Sequence, residues 1–425
     1  MKRTHIAVVG AGASGLMAAR QAAEVLQKRG EPVSVTLLEG NSRAGKKLLA
    51  TGNGRCNLTN EEASPAHYHG DAELREILSC VSVRQVIRAF EQLGILCRTD
   101  EAGRVYPYNL QAAAVLKALR LACEESGVRF QYESNVFSIL HTADGFLLKS
   151  ENGEELLADK CILACGGQAS PKHSCGTNGY ELARQTGHRL VPLSPALVPV
   201  RCKEKVLVSL KGMRCKAAVS LETDGDVLYR ESGEVIFGEH SLSGICIFNL
   251  SVLLADYFRF GKISGQTCKR PSIVLDLAED FEAYELNRYL TKLCRQFPNR
   301  MAGDLLSGLL NNQVGEELLR SLQIDRAKPF SSLTNEELAR IVSVVKAWRF
   351  SAERLEDWEK AQVTAGGVSL REIQTNTMES RKVPGLYITG ELLNVHGDCG
   401  GYNLHFAWIS GMLAGRSAAE NIILV

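Results

Sequence analysis

An apolar run, Ile6 to Val9, breaks at Gly10. Gly12 and Gly15 then complete G-x-G-x-x-G, and a helix-forming stretch from Ala13 to Lys28 leads to a second apolar run that stops at Glu39. This order reads as strand, tight turn, helix and strand, and it divides labour among the glycines. Gly10 allows the turn, Gly12 lets backbone approach a pyrophosphate, and Gly15 lets helix and strand pack closely. The helix start, with Ala13 and Ser14 in its first turn, offers unpaired N–H groups and positive potential to a diphosphate. Glu39, followed by Gly40, sits where an acidic side chain accepts hydrogen bonds from ribose hydroxyls. The constellation predicts a bound adenine dinucleotide.

A chain of 425 residues, 45% of them apolar, suggests roughly two or three domains with a sizeable core. The 49 Lys and Arg nearly balance the 48 Asp and Glu, so no net field holds a polyanion and no nucleic-acid partner is expected. No apolar run approaches the length of a membrane span, and the glycine turn interrupts the first run too early for a signal peptide. The reading is a cytoplasmic protein. The 13 cysteines are scattered without C-x-x-C, as small core residues in a reducing compartment. The histidines make no ligand motif, and no metal is expected.

The stretch GNSRAGKKLLATGNGRCNLTN, residues 40–60, is a polar, flexible loop suited to wrapping a cofactor. Arg43, Lys46, Lys47 and Arg55 are expected to face phosphates, and Asn53, Gly54, Cys56 and Asn57 to reach the ring system. Residues 71–94 carry apolar positions at helical spacing and end at Gly94 as a C-cap. Tyr106 and Tyr108 follow in a short strand between two helices, and Tyr106 is a candidate proton donor. From Val128 the segments VRFQYES, NVFSILHT and GFLLKSE read as an antiparallel meander feeding the parallel strand KCILACGG. Val136 is expected near the adenine. Ala164, Gly166 and Gly167 are expected to bring backbone to the cofactor a second time.

Past Leu193 the sequence becomes proline-punctuated. Residues 194–354 are predicted to form an inserted domain, with 194–270 mainly β, strand-like to about Ser251, and 271–354 mainly helical. Thr334 and Glu337 mark one helix start as a capping box. The run VPGLYITGE, residues 383–391, restores a parallel-type strand, so 1–193 and 355–425 are read as one discontinuous dinucleotide domain. Two glycine-ended strands and a last glycine loop at a helix start suit an extended FAD better than NAD. Gly390 and Glu391 are placed near the ribitol. The backbone of Gly400, Gly401, Tyr402, Asn403 and Leu404 is placed at the flavin N1–C2=O edge, where negative charge gathers on reduction. With a single fingerprint, NADH or NADPH would dock only transiently.

The glycine fingerprint with its acid, TGNGRCNLTN, GRVYP, ACGGQASP with GTNGY, GEHSLSG, VTAGGV and GLYITGELLNVHGDCGGYNL together resemble the BaiN-like family of NAD(P)/FAD-dependent oxidoreductases over essentially the whole chain. The resemblance implies α/β architecture: a FAD-binding Rossmann-like domain with a parallel sheet and β-meander, interrupted by a β-barrel-like insert with a helical subdomain. It also implies flavin-dependent reduction of conjugated 3-oxo-Δ4 or Δ4,6 bile-acid intermediates, while other members are aminoacetone-oxidase-like. Around Gly238-Glu239-His240 the sequence departs from the family pattern, and Ile245 stands where relatives carry proline. The expected function is NAD(P)H-driven reduction of a conjugated C=C in a hydrophobic small molecule. The alternative is a FAD-dependent amine oxidase producing hydrogen peroxide. Tyr106, His240 and His396 are the catalytic candidates, with Tyr402 beside them, and no pattern encodes the oligomeric state.

Overall fold

A computed structural model describes residues 4–32, 34–173, 179–263 and 265–420. Two compact units emerge, one from Met1–Pro195 with Ala361–Val425 and one from Ala196–Lys360. The first is built on a five-stranded sheet in the order Leu386–Ile388, Lys160–Leu163, Ile6–Val9, Val35–Leu38, Arg129–Gln131. Every neighbouring pair is parallel. The continuous apolar runs of the central strands are buried on both faces, as helix-covered parallel strands require. Strand Ile6–Val9 lies at the switch point: the chain first adds strands to one side of it and later returns to fill the other. Ligand crevices in such sheets open at the carboxyl end of this position, here at Gly10 and Ala164.

The terminal helix, Tyr402–Glu420, lies against the helix Ala13–Lys28. Small residues set the approach. A Cβ at Gly411 would stand 2.5 Å from the Ser14 carbonyl oxygen, and one at Gly415 would overlap that of Ala18. The terminal helix is buried along most of its length, which explains its apolar composition all round. Its Trp408 Nε1 donates to the Leu58 carbonyl at 2.9 Å and so also tethers the residue 51–60 segment.

Two expectations for this unit change in detail. Residues 71–94 form two helices, Leu74–Cys80 and Val83–Gln92, because Ser82 starts the second with a capping box to Gln85. Gly94 then turns the chain in the left-handed region at φ 79°. VRFQYES does not belong to the meander: Arg129–Gln131 pairs with Thr36–Leu38 at the edge of the parallel sheet. The meander proper is Val136–Thr142, Gly145–Ser150 and Glu155–Ala158. Between them Glu133, at φ 56°, breaks the strand.

The second unit contains a closed barrel ordered Val200–Cys202, Ser241–Ser243, Asp226–Phe237, Arg214–Thr223, Ser272–Asp276, Trp348–Leu355. The last two strands come from the half expected to be helical; they close the sheet on itself and remove its free edges. Between them run helices Ala283–Gln296, Asn312–Ser321 and Asn335–Lys346. Thr334 caps the last of these, its hydroxyl accepting from Glu337 N at 3.1 Å. Conversely, residues 245–251, read as strand-like, begin the helix Ile245–Phe260. That helix is apolar on nearly every side, so its composition hides the helical period.

If the contact between the two glycine-bearing helices sets the geometry of the first unit, Gly415→Val should overpack it and cost about 1–3 kcal/mol. Gly308→Ala, which adds a Cβ into open space, should change stability by less than about 0.5 kcal/mol. Urea unfolding midpoints of the two variants make the comparison.

Candidate cofactor and active site

The fingerprint glycines separate by what surrounds them. Gly10, at φ 102°, has no room for a Cβ, which would stand 2.5 Å from the Ala164 carbonyl oxygen, and a Cβ on Gly15 would overlap Gly10 O. Gly12 faces open space, with nothing among the described residues within 4 Å of the position a Cβ would take. Packing therefore uses the outer two glycines and leaves the middle one to an incoming group. Among the described residues no side chain caps the helix that starts here, so its first N–H groups remain for a ligand, with Ala13 and Ser14 in that turn.

Glu39 is 7% exposed. Its Oε2 accepts from Ala11 N at 2.9 Å and its Oε1 from Asn41 N and Nδ2 at 2.9 and 2.8 Å. These donors orient the carboxylate, and a carboxylate has about four acceptor positions, which leaves capacity for a ribose hydroxyl. Gly40 is half-buried beside it. The Glu39 carbonyl accepts from Ser134 N at 2.9 Å, which brings the segment containing buried Val136 to the same strand end.

Gly45 N donates to Ala11 O at 2.9 Å and ties the next loop to the glycine turn. Here the cations have protein partners: Lys46 Nζ bonds Asn41 Oδ1, and Lys47 Nζ pairs with Glu391 Oε2 at 2.6 Å. Arg43 and Arg55 are exposed. Glu391 Oε1 also accepts from Thr364 N at 2.9 Å, and a Cβ on Gly167 would stand 2.5 Å from that oxygen. Gly390 N donates to Ser410 Oγ at 3.0 Å, while Gly166, at φ 75°, faces open space among the described residues. Lys47, Gly167, Gly390 and Glu391 are thus drawn to one place from three distant parts of the sequence.

The loop between is strained. Gly52, Asn53, Gly54 and Cys56 all adopt positive φ, at 57°, 55°, 82° and 58°. For the two non-glycine residues this costs on the order of 1–3 kcal/mol each, the kind of strain that clusters at ligand sites. Bonds from Cys56 N to Thr51 O (3.0 Å) and Arg55 N to Gly52 O (3.2 Å) hold the shape. Burial pushes the Cys56 thiol up to about 12, so it stays protonated and inert at neutral pH. Asn57 Oδ1 is buried with no hydrogen-bond partner among the described residues. It lies where a Cβ on Gly401 would come within 2.7 Å. A buried acceptor left unpaired costs about 1–3 kcal/mol. An N–H on a ligand ring at this turn would satisfy it, so an extended flavin dinucleotide fits the residues present.

Gly400 and Gly401 turn the chain at φ 146° and 102° into the terminal helix. Tyr402 offers backbone here; its ring stacks on His67 at 4.5 Å, and its carbonyl accepts from Tyr68 Oη at 2.9 Å. Asn403 brackets Gly397 with two bonds of 2.8 Å, and Leu404 is half-buried. Sequence reasoning missed the groups that hold this turn. Asn60 Nδ2 donates to Gly400 O at 3.1 Å, Asp398 bridges His67 and His69, and buried His405 Nδ1 lies 2.8 Å from Thr59 Oγ1. The only signal for the bridge was alternation in H-Y-H, residues 67–69, and an aspartate before the last glycines.

Tyr106 lies half-buried on the strand Arg104–Pro107, and a Cβ on Gly52 would stand 3.7 Å from its ring. Burial raises its phenol while Arg104 and Arg55 pull the other way, so the group holds its proton at neutral pH. His396 is 2% exposed in the short strand Val395–Gly397, its ring 5.7 Å from that of His69. His240 is in the second unit, exposed on a turn with Nε2 3.9 Å from Glu239 Oε1. Residues 174–178, with the start of GTNGY, lie outside the described residues. Among the described residues no group of His, Cys, Asp or Glu side chains could hold a metal.

The chain matches the HI0933-like protein Rossmann domain over residues 4–417. It is 35% identical over 418 residues to the 3-dehydro-bile acid delta(4,6)-reductase of Clostridium scindens, covering 98% of this chain and 99% of that one. It is 28% identical over 413 residues to the ribosomal RNA dihydrouridine synthase of Escherichia coli, covering 96% of each. Among solved structures it resembles a 3-ketosteroid delta1-dehydrogenase from Sterolibacterium denitrificans in complex with 1,4-androstadiene-3,17-dione. The TM-score is 0.51 at 13% identity, with 99% of this chain and 100% of that one covered, a likeness of fold.

Burial holds His405 neutral, lowering it from 6.5 to about 4. As pH falls below about 6.5 the unfolded chain takes up a proton that the folded chain refuses. Stability is therefore lost progressively down to about pH 4, by up to roughly 3 kcal/mol. Urea midpoints measured across that range should fall, and His405→Gln should remove most of this component.

Proposed function

The chain belongs to the HI0933-like family of Rossmann-domain proteins and is an oxidoreductase of FAD-type fold; from that premise we propose that it reduces a carbon–carbon double bond conjugated to a carbonyl. The substrate is a hydrophobic, steroid- or bile-acid-like small molecule, and NADH or NADPH is the electron donor. One observation carries the reading: two relatives matched along nearly their full length both bear names of such reductions. A 4,6-diene beside a 3-oxo group and the uracil double bond beside its carbonyl are the same electronic unit, an enone.

In this reading the Gly10–Gly15 turn and Glu39 hold the adenosine diphosphate end of FAD. Glu391 faces the ribitol, and Asn57 with the Gly400–Leu404 backbone meets the ring. FAD, when bound and reduced by the nicotinamide, would supply hydride to the β-carbon of the enone. The protein supplies the proton. Tyr106 Oη, kept protonated by burial, donates to the α-carbon, and Arg104 and Arg55 stabilise the phenolate left behind.

The small-molecule substrate is favoured by the higher identity to the bile-acid enzyme, 35% against 28%, and by a net charge of only +1. A second reading, uridine in ribosomal RNA, is supported by the full-length match to the Escherichia coli enzyme. The two differ in the acceptor alone.

Anaerobic mixing with NADPH or NADH should bleach the bound flavin, and a Δ4 or Δ4,6 3-oxo steroid should restore its colour. Failure of both donors overturns the reductase. Colour restored by ribosomal RNA and by no steroid moves the substrate to the second reading. Tyr106→Phe should leave bleaching by the nicotinamide intact and slow the steroid-dependent step about 10²–10⁴-fold, read by stopped-flow absorbance.

A further inference from the structure

We infer that Asp398, held between His67 and His69, is a positioning residue for the Gly400–Gly401 turn, and that its carboxylate, fixed by the two imidazoles, sets how readily a flavin ring at that turn accepts electrons. The inference rests on the placement of the flavin ring at Gly400–Leu404 given above.

Two short strands, Tyr68–Gly70 and Val395–Gly397, pair antiparallel with His69 opposite His396 and Tyr68 opposite Gly397. The pairing delivers Asp398 to His67. Asp398 N donates to His67 O at 2.9 Å, its Oδ2 lies 3.3 Å from His67 Nδ1, and its Oδ1 lies 3.0 Å from His69 Nε2. Further along the turn, Asn60 holds Gly400 O, Tyr68 Oη holds Tyr402 O, and the His67 ring stacks on Tyr402. The approach to the helix is therefore gripped chiefly by residues 60 and 67–69, with Asp398 at the centre.

Titratable groups face this cluster from each element around it. His396 stacks beside His69, and the phenols of Tyr68 and Tyr402 pack on the other side. Cys399 follows in the chain, within electrostatic reach of Arg104 and Tyr106. The side chains of His67, His69 and Asp398 are 33%, 27% and 21% exposed. They are enclosed enough that a charge among them is only partly screened.

His67 Nδ1 and His69 Nε2 each face one oxygen of the Asp398 carboxylate, which fixes the carboxylate and the loop that carries it. The carboxylate brings negative charge to the approach of the turn. Reduction gathers negative charge at the N1–C2=O edge, so a carboxylate held here opposes the reduced ring and its removal favours it.

The test is the midpoint potential of the bound FAD, by dye equilibration at neutral pH, in the wild type, Asp398→Asn and the double variant His67→Gln, His69→Gln. Asp398→Asn should raise the equilibrium constant for reduction about tenfold. If Asp398→Asn does not fold, the double variant, altered only at partly exposed rings, decides: it leaves the carboxylate without the rings that hold it, and its potential should also depart from that of the wild type. Potentials equal to the wild type in variants that hold FAD overturn this inference alone, whereas a wild-type protein that binds no FAD overturns the flavin placement beneath it.

Discussion

Backbone touches backbone at Gly10, Gly15, Gly411 and Gly415, and the rest of the candidate site depends on that contact. A side chain at any of these positions would occupy space already filled by a carbonyl oxygen, of Ala164, Gly10, Ser14 or Ala18 respectively. The first pair seats the opening helix on the sheet. The second seats the last helix on the opening one, so residues from the far end of the chain reach the first turn. Gly390 illustrates the consequence: a Cβ there would stand 2.7 Å from Ser14 Oγ, 376 positions earlier in the chain. Interiors packed this tightly transmit position with little slack, which lets a site be assembled from distant segments.

On that rigid base the site carries several unfavourable features at once. It includes left-handed backbone at Asn53 and Cys56, an acceptor on Asn57 with no partner among the described residues, and a histidine at 405 that burial keeps from its proton. Each would weaken an isolated segment. Here the surrounding bonds over-determine the geometry, from the Thr51–Cys56 and Gly52–Arg55 turns to Trp408 on Leu58. Such costs persist where the structure around them is held by other means, and strain of this kind clusters at ligand sites in general.

Much of the local architecture was legible because its signals are local. The fingerprint and Glu39 lie within one strand-turn-helix-strand unit, and Thr334 with Glu337 caps its own helix. Ser82 and Gln85 carried the same kind of signal inside 71–94, where continuous apolar spacing masked it. The helix Ile245–Phe260 escaped for the opposite reason, being apolar on all sides and so without a period to read. Barrel strands 272–276 and 348–355 were hidden among helical sequence, since closure of a sheet is decided by its other strands.

The sequence by itself determined the identity of the opening turn, the acid that follows it, and the glycine-rich segments that backbone contacts demand, because those depend on neighbours a few residues away. Only the tertiary structure decided the partners of the charged groups. Lys47 was read as a phosphate contact, and its ammonium pairs with Glu391 across 344 residues; Asp398 joins His67 and His69 across more than 320. Such pairs follow from sheet order and from helices that meet through glycine, neither of which leaves a spacing in the chain. A charge finds its partner by position in space, and that position exists only after the distant segments have packed.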